Sequence, residues 1–177
     1  RNLAVLFGDG AAALVVTRAP EGSGYVGTEV HTDGRLFDRI YIASGGFKTR
    51  PYFTPEMFER EEHIPRMLGA DLMKTAVTEL NRVVRSLTEK HGVALDEVDW
   101  FVAHQANDRI NAAVQKALGI PAEKVPSNIA RFGNTSAATI GILLDEMLRD
   151  GRAKRGQLIC FFALGSGLNW GATLIRL

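Results

Sequence analysis

Asp99-Trp100-Phe101-Val102-Ala103-His104-Gln105-Ala106-Asn107 is the stretch from which the fold follows. Its apolar centre reads as a short buried strand that ends on a polar group. From Asn107 to Leu118 the apolar residues Ile110, Val114 and Leu118 share one helical face, and Gly119-Ile120-Pro121 supplies the stop. A buried strand running straight into an amphipathic helix belongs to a layered α/β fold.

The same alternation extends in both directions. Downstream, Thr135 or Ser136 can cap a helix that runs to Arg149, with Ile140, Leu143, Leu144, Met147 and Leu148 apolar. Two strands follow, 157–164 and 169–176, around Gly165-Ser166-Gly167. Upstream, residues 66–90 read as a long helix: Leu72, Ala76, Leu80, Val83 and Leu87 recur at three- and four-residue steps, and Gly92 terminates it. Residues 25–31 alternate as a strand. Residues 3–7 and 11–17 read as strands around Gly8-Asp9-Gly10, with a linker at Pro20, Gly22 and Gly24. Between 32 and 65 no period holds. That stretch carries Gly45-Gly46, three prolines and the aromatics Phe37, Tyr41, Phe47, Tyr52, Phe53 and Phe58. A loop of this length is expected either to line or cover a pocket, or to pack its aromatics on the core or on a partner. The chain opens on Arg1 just ahead of an apolar run and ends on another, so it is expected to be a segment of a longer protein.

Composition narrows the function classes. The 177 residues are 46% apolar and 23% charged, enough for an ordinary globular core. Lys plus Arg is 21 against 20 for Asp plus Glu, a net charge of +1, so no global field draws the chain to nucleic acid. No apolar stretch is long enough to span a membrane. The single cysteine, Cys160, excludes an internal disulfide framework and suits a reducing, cytoplasmic compartment. It lies in a core strand and is expected to be an inert buried thiol. No Cys or His spacing fits a metal site. Gly8-Asp9-Gly10-Ala11-Ala12-Ala13 matches a loose dinucleotide pattern, but strand-forming Leu14-Val15-Val16-Thr17 follows where a helix is required.

Three places can carry chemistry. His104 ends a strand and precedes a helix, whose N-terminus carries roughly +0.5 charge and disfavours imidazolium; position alone equally fits a core histidine satisfied by backbone. Asn134, after Gly133, offers an amide at a helix start, or merely caps it. Gly165-Ser166-Gly167 can present backbone N–H groups to a ligand oxygen, or form a plain hairpin turn.

Taken together these places are more specific than any one. Leu6-Phe7-Gly8-Asp9-Gly10-Ala11-Ala12-Ala13, His104-Gln105-Ala106-Asn107, Gly133-Asn134-Thr135-Ser136 and Gly165-Ser166-Gly167-Leu168-Asn169-Trp170-Gly171-Ala172 follow in order. In this they strongly resemble the β-ketoacyl-acyl-carrier-protein synthase III family of the thiolase superfamily. The resemblance implies an α/β thiolase-like fold of layered αβαβα type built from two similar halves. Residues 1–18 would be the last strands of the first half, and 19–177 the second half, with the long loop at 32–65. It implies decarboxylative condensation of an acyl group from acyl-CoA with malonyl-acyl carrier protein in fatty-acid or related synthesis. No cofactor is implied beyond these thioester substrates. The family nucleophile, a first-half cysteine, is not in this sequence, so the chain alone is expected to be inactive.

His104 and Asn134 match the family pair that stabilises the malonyl enolate, and the N–H of Ser166 matches part of the oxyanion hole for the acyl thioester. Ser166 stands where the family often has glycine. Asn107 matches a pantetheine contact. Lys74, Arg109 and Lys116 match the basic patch that docks the acidic carrier protein, although Ala70 and Met73 replace more usual asparagine and phenylalanine nearby. A homodimer in the cytoplasm is implied, with no nucleic-acid or membrane partner. The alternatives are a family relative that transfers acyl groups to oxygen or nitrogen, and a non-catalytic subunit of a heterodimeric synthase. Retention of both His104 and Asn134 favours condensation.

Overall fold

The structure is a computed structural model that describes residues 5–47 and 49–177. Its six strands are β1 (Gly24–Thr32), β2 (Ile40–Tyr41), β3 (Arg66–Met67), β4 (Trp100–Ala103), β5 (Leu158–Gly165) and β6 (Asn169–Arg176). Its α-helices are α1 (Pro55–Glu59), α2 (Gly69–Lys90), α3 (Asp108–Leu118), α4 (Ile129–Phe132) and α5 (Ala138–Arg149). The main sheet has the order β1-β6-β5-β4. β4 pairs with β5 in parallel, while β5–β6 and β6–β1 are antiparallel.

Side chains alternate across this sheet, as a two-residue period requires. Phe101 and Ala103 on β4, and Leu158, Cys160 and Phe162 on β5, face α2 and α3. Val102 and Ile159 face the opposite way, against Leu143, Leu144 and Met147 of α5. The result is helix, sheet, helix. Leu87, Phe101, Val102, Leu143, Met147 and Ile159 are completely buried. Each large apolar side chain so buried contributes about 1.5–3 kcal/mol. α2 lies along α3, and the Arg85 guanidinium donates to the carbonyls of Ala117 and Leu118 (3.3 and 3.0 Å), satisfying orphan acceptors at the end of α3.

Several expectations need correction. Leu3 and Ala4, the first two residues of the expected 3–7 strand, lie outside the described residues. Val5 and Leu6 form a turn, and Phe7 makes one isolated parallel bridge to Asn134. Residues 11–17 form no ladder: Leu14, Val15 and Val16 are 68%, 89% and 91% exposed. Strand propensity yields a strand only where a neighbouring edge pairs with it, and none does among the described residues. The long helix starts at Gly69 rather than 66, because Arg66–Met67 pairs with Ile40–Tyr41. The 32–65 stretch is not structureless. It holds a 3-10 turn at Gly34–Arg39, β2, and α1 with Thr54 Oγ1 accepting from the Met57 N–H at its start. These elements are shorter than the window in which a period can be seen. Neither Thr135 nor Ser136 caps α5 with its side chain; their backbone carbonyls accept the N–H groups of Ala138 and Thr139 (3.2 and 3.3 Å).

Cys160 is fully buried in β5, and burial pushes its thiol up to about 12. Thiolate is therefore negligible at physiological pH. A disulfide reagent at pH 8 is predicted to leave Cys160 unmodified in the native protein and to label it once the chain is unfolded. Rapid labelling of the native state would show that β5 opens.

Candidate active site

A cavity of about 400 Å³ lies at the carboxyl ends of β4 and β5. Its walls are largely apolar, with Leu72, Met73 and Ala76 from α2, Ile110 from α3, and Phe162 and Leu164 from β5. His104, Asn134, Ser166, Asn107 and Arg109 also line it, so three of the sequence motifs and one basic residue converge on a single space.

His104 follows directly on β4. Its backbone N–H donates to Phe162 O (2.9 Å), continuing the parallel pairing by one residue. The Asn111 side chain donates to His104 O (3.2 Å), which ties the strand end to α3. In the ring, Nδ1 lies 2.6 Å from Thr139 Oγ1 on α5. Nε2 has no partner among the described residues and is the ring nitrogen left to the cavity. Burial lowers the pKa of the imidazole from its ordinary 6.5, so the ring is neutral at physiological pH. Burial thus acts in the same direction as the helix N-terminus invoked from sequence.

Asn134 is placed by a backbone junction. Its N–H donates to Leu6 O (2.7 Å) and its carbonyl accepts from Gly8 N–H (3.1 Å). The two chain segments at this crossing nearly touch. A Cβ on Gly8 would collide with Phe132 O, and one on Gly133, whose φ is +67°, would come within 3.0 Å of Leu6 O. Both glycines are therefore steric requirements of the Leu6–Gly8 contact. The Asn134 carboxamide oxygen accepts from Ser136 N–H (2.8 Å), so the amide group points the other way. That Nδ2 has no partner among the described residues. Asn134 is 7% exposed. It is not an N-cap of α5, which begins four residues later.

Ser166 sits in the β5–β6 turn. Its hydroxyl donates to Ile40 O (2.7 Å), which draws the side chain toward β2, and Asn169 Nδ2 donates to Ser166 O (2.6 Å). The backbone N–H of Ser166 makes no bond among the described residues. The segment is thus both a hairpin turn and part of the cavity wall. Leu168 and Asp33 exchange backbone bonds (3.0 and 3.2 Å), which anchors the turn to the end of β1.

Asn107 is the N-cap of α3: its Oδ1 accepts from Arg109 N–H (2.9 Å), and its amide group is uncommitted. Lys74, Arg109 and Lys116 are exposed, on α2 and α3, and none makes an ion pair among the described residues. Arg109 alone of the three reaches the cavity. Of the expected pocket loop, Ile40 lines the cavity. The aromatics pair with one another instead, Phe47 with Tyr52 and Phe53 with Phe58, at ring distances of 5.7 and 5.5 Å. No group of three or more potential metal ligands stands together among the described residues.

Sequence reasoning missed three supporting residues. Gln105 is fully buried; its amide donates to Ala103 O (2.9 Å) and its oxygen accepts from Ser127 Oγ and Asn128 N (2.9 and 3.2 Å). Asn111 and Thr139 hold His104. The signal for Gln105 and Asn111 was a polar residue where burial was expected: Gln105 closes an apolar strand, and Asn111 lies next to Ile110 on the inner side of α3. Thr139 gave none, since a threonine in a first helical turn is unremarkable.

The sequence model described as 3-oxoacyl-[acyl-carrier-protein] synthase III C terminal matches residues 88–177, and that of 3-oxoacyl-[acyl-carrier-protein] synthase III matches residues 1–34. The β-ketoacyl-[acyl-carrier-protein] synthases III of Aquifex aeolicus and Methylococcus capsulatus are 42% and 41% identical over 176 residues, each match covering 99% of this chain and 52% of the relative. The chain therefore spans about half the length of the curated relatives it matches. Among solved structures, the Aquifex aeolicus synthase III superposes with a TM-score of 0.87 at 41% identity, over 100% of this chain and 52% of that one. The Thermus thermophilus enzyme gives 0.82 at 30%, over 100% and 53%. The fold is thiolase-like, and no helix among the described residues is long and apolar enough to cross a membrane. With both family models matched and the fold shared at this level, the chain belongs to the 3-oxoacyl-acyl-carrier-protein synthase III family.

Proposed function

We propose that this chain supplies the decarboxylation half of a β-ketoacyl-acyl-carrier-protein synthase III active site. The observation that carries the reading is that His104 and Asn134, from different elements, line one apolar cavity, and each has one nitrogen uncommitted there. In this reading residues 1–18 close the first half of a two-half synthase and 19–177 form the second. The nucleophile is a cysteine outside this sequence, because Cys160 is buried and protonated. The chain alone is then inactive. The working enzyme is a cytoplasmic homodimer that uses CoA and carrier-protein thioesters without a further cofactor.

The chemistry runs in two steps. The cysteine thiolate attacks the carbonyl of an acyl-CoA, the C–S bond to CoA breaks, and CoA leaves as a thiolate that takes a proton from solvent. Malonyl-acyl carrier protein then enters. Its carboxylate leaves as carbon dioxide, and the electron pair of the broken C–C bond passes into an enolate whose charge rests on the thioester oxygen. His104 Nε2–H and Asn134 Nδ2–H donate to that oxygen. Such donors act strongest where water is excluded and the surroundings are apolar. The enolate carbon forms the new C–C bond at the acyl carbonyl, with the Ser166 N–H donating to the developing oxyanion, and the cysteine is expelled. The Asn107 amide is placed to meet the thioester arm.

The exposed cations Lys74, Arg109 and Lys116 serve the carrier protein. The starts of α2 and α3 both border the cavity, with Arg109 at its rim, so an acidic domain docked there would direct its thioester arm inward.

Removing one preorganised donor costs roughly 10²–10³-fold in rate. In the intact enzyme, His104→Ala and Asn134→Ala are each predicted to slow malonyl decarboxylation by about this factor, while acyl transfer from acyl-CoA to cysteine persists. Equal loss of both half-reactions, or normal decarboxylation in either variant, would contradict the assignment. Arg109→Glu is predicted to raise KM for malonyl-acyl carrier protein and to flatten its salt dependence, leaving a small malonyl thioester almost unaffected. An equal effect on both substrates would move Arg109 into the reacting site.

A further inference from the structure

The hydroxyl behind His104 lies between a ring nitrogen and a carbonyl oxygen, and it has one proton. Thr139 Oγ1 lies 2.6 Å from His104 Nδ1 and 3.1 Å from Ser136 O. A hydroxyl donates only once, so it either donates to Nδ1 or donates to Ser136 O while accepting from an Nδ1–H. Ser136 O already accepts the Thr139 N–H (3.3 Å) and is satisfied without the hydroxyl. Nδ1 has no other partner among the described residues. The contact to Nδ1 is the shorter of the two, 2.6 Å against 3.1 Å. Thr139 is 2% exposed, so bulk water does not compete for either position. Placing the proton on the shorter contact makes Thr139 the donor and Nδ1 the acceptor.

The consequence lies on the other side of the ring. In a neutral imidazole the bond made at one nitrogen decides the state of the other. With Nδ1 accepting, the ring proton sits on Nε2, facing the cavity. If instead the hydroxyl turned to Ser136 O, Nδ1 would carry the proton and Nε2 would present a lone pair, which repels an anionic oxygen. We propose that Thr139 is a positioning residue that selects the Nε2–H tautomer of His104, so that the ring meets the thioester oxygen as a donor. This rests on the reading of His104 as an enolate donor given above. It adds a third helix to the site: α5, through Thr139, sets the hydrogen-bonding sense of a residue borne on the β4–α3 connection.

Thr139→Val keeps the shape and removes the hydroxyl, and Thr139→Ser keeps the hydroxyl. In the intact enzyme, ¹⁵N NMR of histidine-labelled protein should show His104 as the Nε2–H tautomer in the parent and in Thr139→Ser. In Thr139→Val it should show loss of that preference. Malonyl decarboxylation should fall roughly 10–10²-fold in Thr139→Val, less than on losing the donor outright, with KM nearly unchanged and with acyl transfer retained. Thr139→Ser should recover to within a few-fold of the parent. An unchanged tautomer and rate in Thr139→Val, or a Thr139→Ser as slow as the valine variant, would overturn the positioning role. A parent that already carries its proton on Nδ1 would overturn it too. His104→Ala measured alongside separates the two claims. Normal decarboxylation in His104→Ala defeats the donor reading, whereas slow decarboxylation there with an unaffected Thr139→Val defeats only the inference about Thr139.

Discussion

β4 and β5 run in the same direction, Trp100–Ala103 beside Ile159–Phe162, and a parallel pair cannot be closed by a hairpin. The chain must leave the end of β4 and return to the start of β5, and on the way it places α3 on one face of the sheet and α5 on the other. That crossover contains α3, α4 and α5, and so it delivers both His104 and Asn134. Because the strands are parallel, the exit from β4 and the exit from β5 lie at one edge. The first exit holds His104 and the second holds Gly165–Ser166. Open α/β sheets bind ligands at the carboxyl ends of their strands for this reason. Remove the parallel pairing and the histidine, the asparagine and the Ser166 turn no longer share a cavity.

What the geometry then supplies is a set of neutral donors in apolar surroundings. A charged histidine would attract an enolate more strongly, but it would be costly to bury and would bind other anions as readily. Burial keeps the imidazole neutral, while Thr139 and Asn111 hold the ring and its backbone. Asn134 is fixed independently through Leu6 and Gly8. The full positive charge at Arg109 lies at the cavity wall, and in the proposed function it acts on an approaching partner rather than on the reacting atoms. Long-range attraction and local stabilisation are thus assigned to different residues.

Much of this was legible in the sequence. The β4–α3 unit, the β5–β6 hairpin and the body of α2 follow from periods of two and of three to four that tertiary packing reinforces. His104, Asn134 and Ser166 were identifiable because polar or small residues interrupt those periods where a strand or loop meets a turn or helix. The failures have equally physical causes. Leu14-Val15-Val16 has strand chemistry but no partner edge among the described residues. Thr135 and Ser136 have capping side chains, yet backbone carbonyls do that work. The glycines at 8 and 133 suggested a turn and a bend; their shared purpose, a close crossing of two chain segments, depends on contacts far apart in sequence. Thr139 was invisible for the same reason, since its importance comes from a ring 35 residues away.

The central claim is that His104 and Asn134 act on one oxygen. The direct measurement is a crystal structure of the intact enzyme with a malonyl thioester analogue that cannot lose its carboxylate. The account predicts the thioester oxygen about 2.7–3.1 Å from both His104 Nε2 and Asn134 Nδ2, with the carboxylate in the apolar part of the cavity. A thioester oxygen that meets neither nitrogen, with the two side chains bonded elsewhere in the protein, would contradict it.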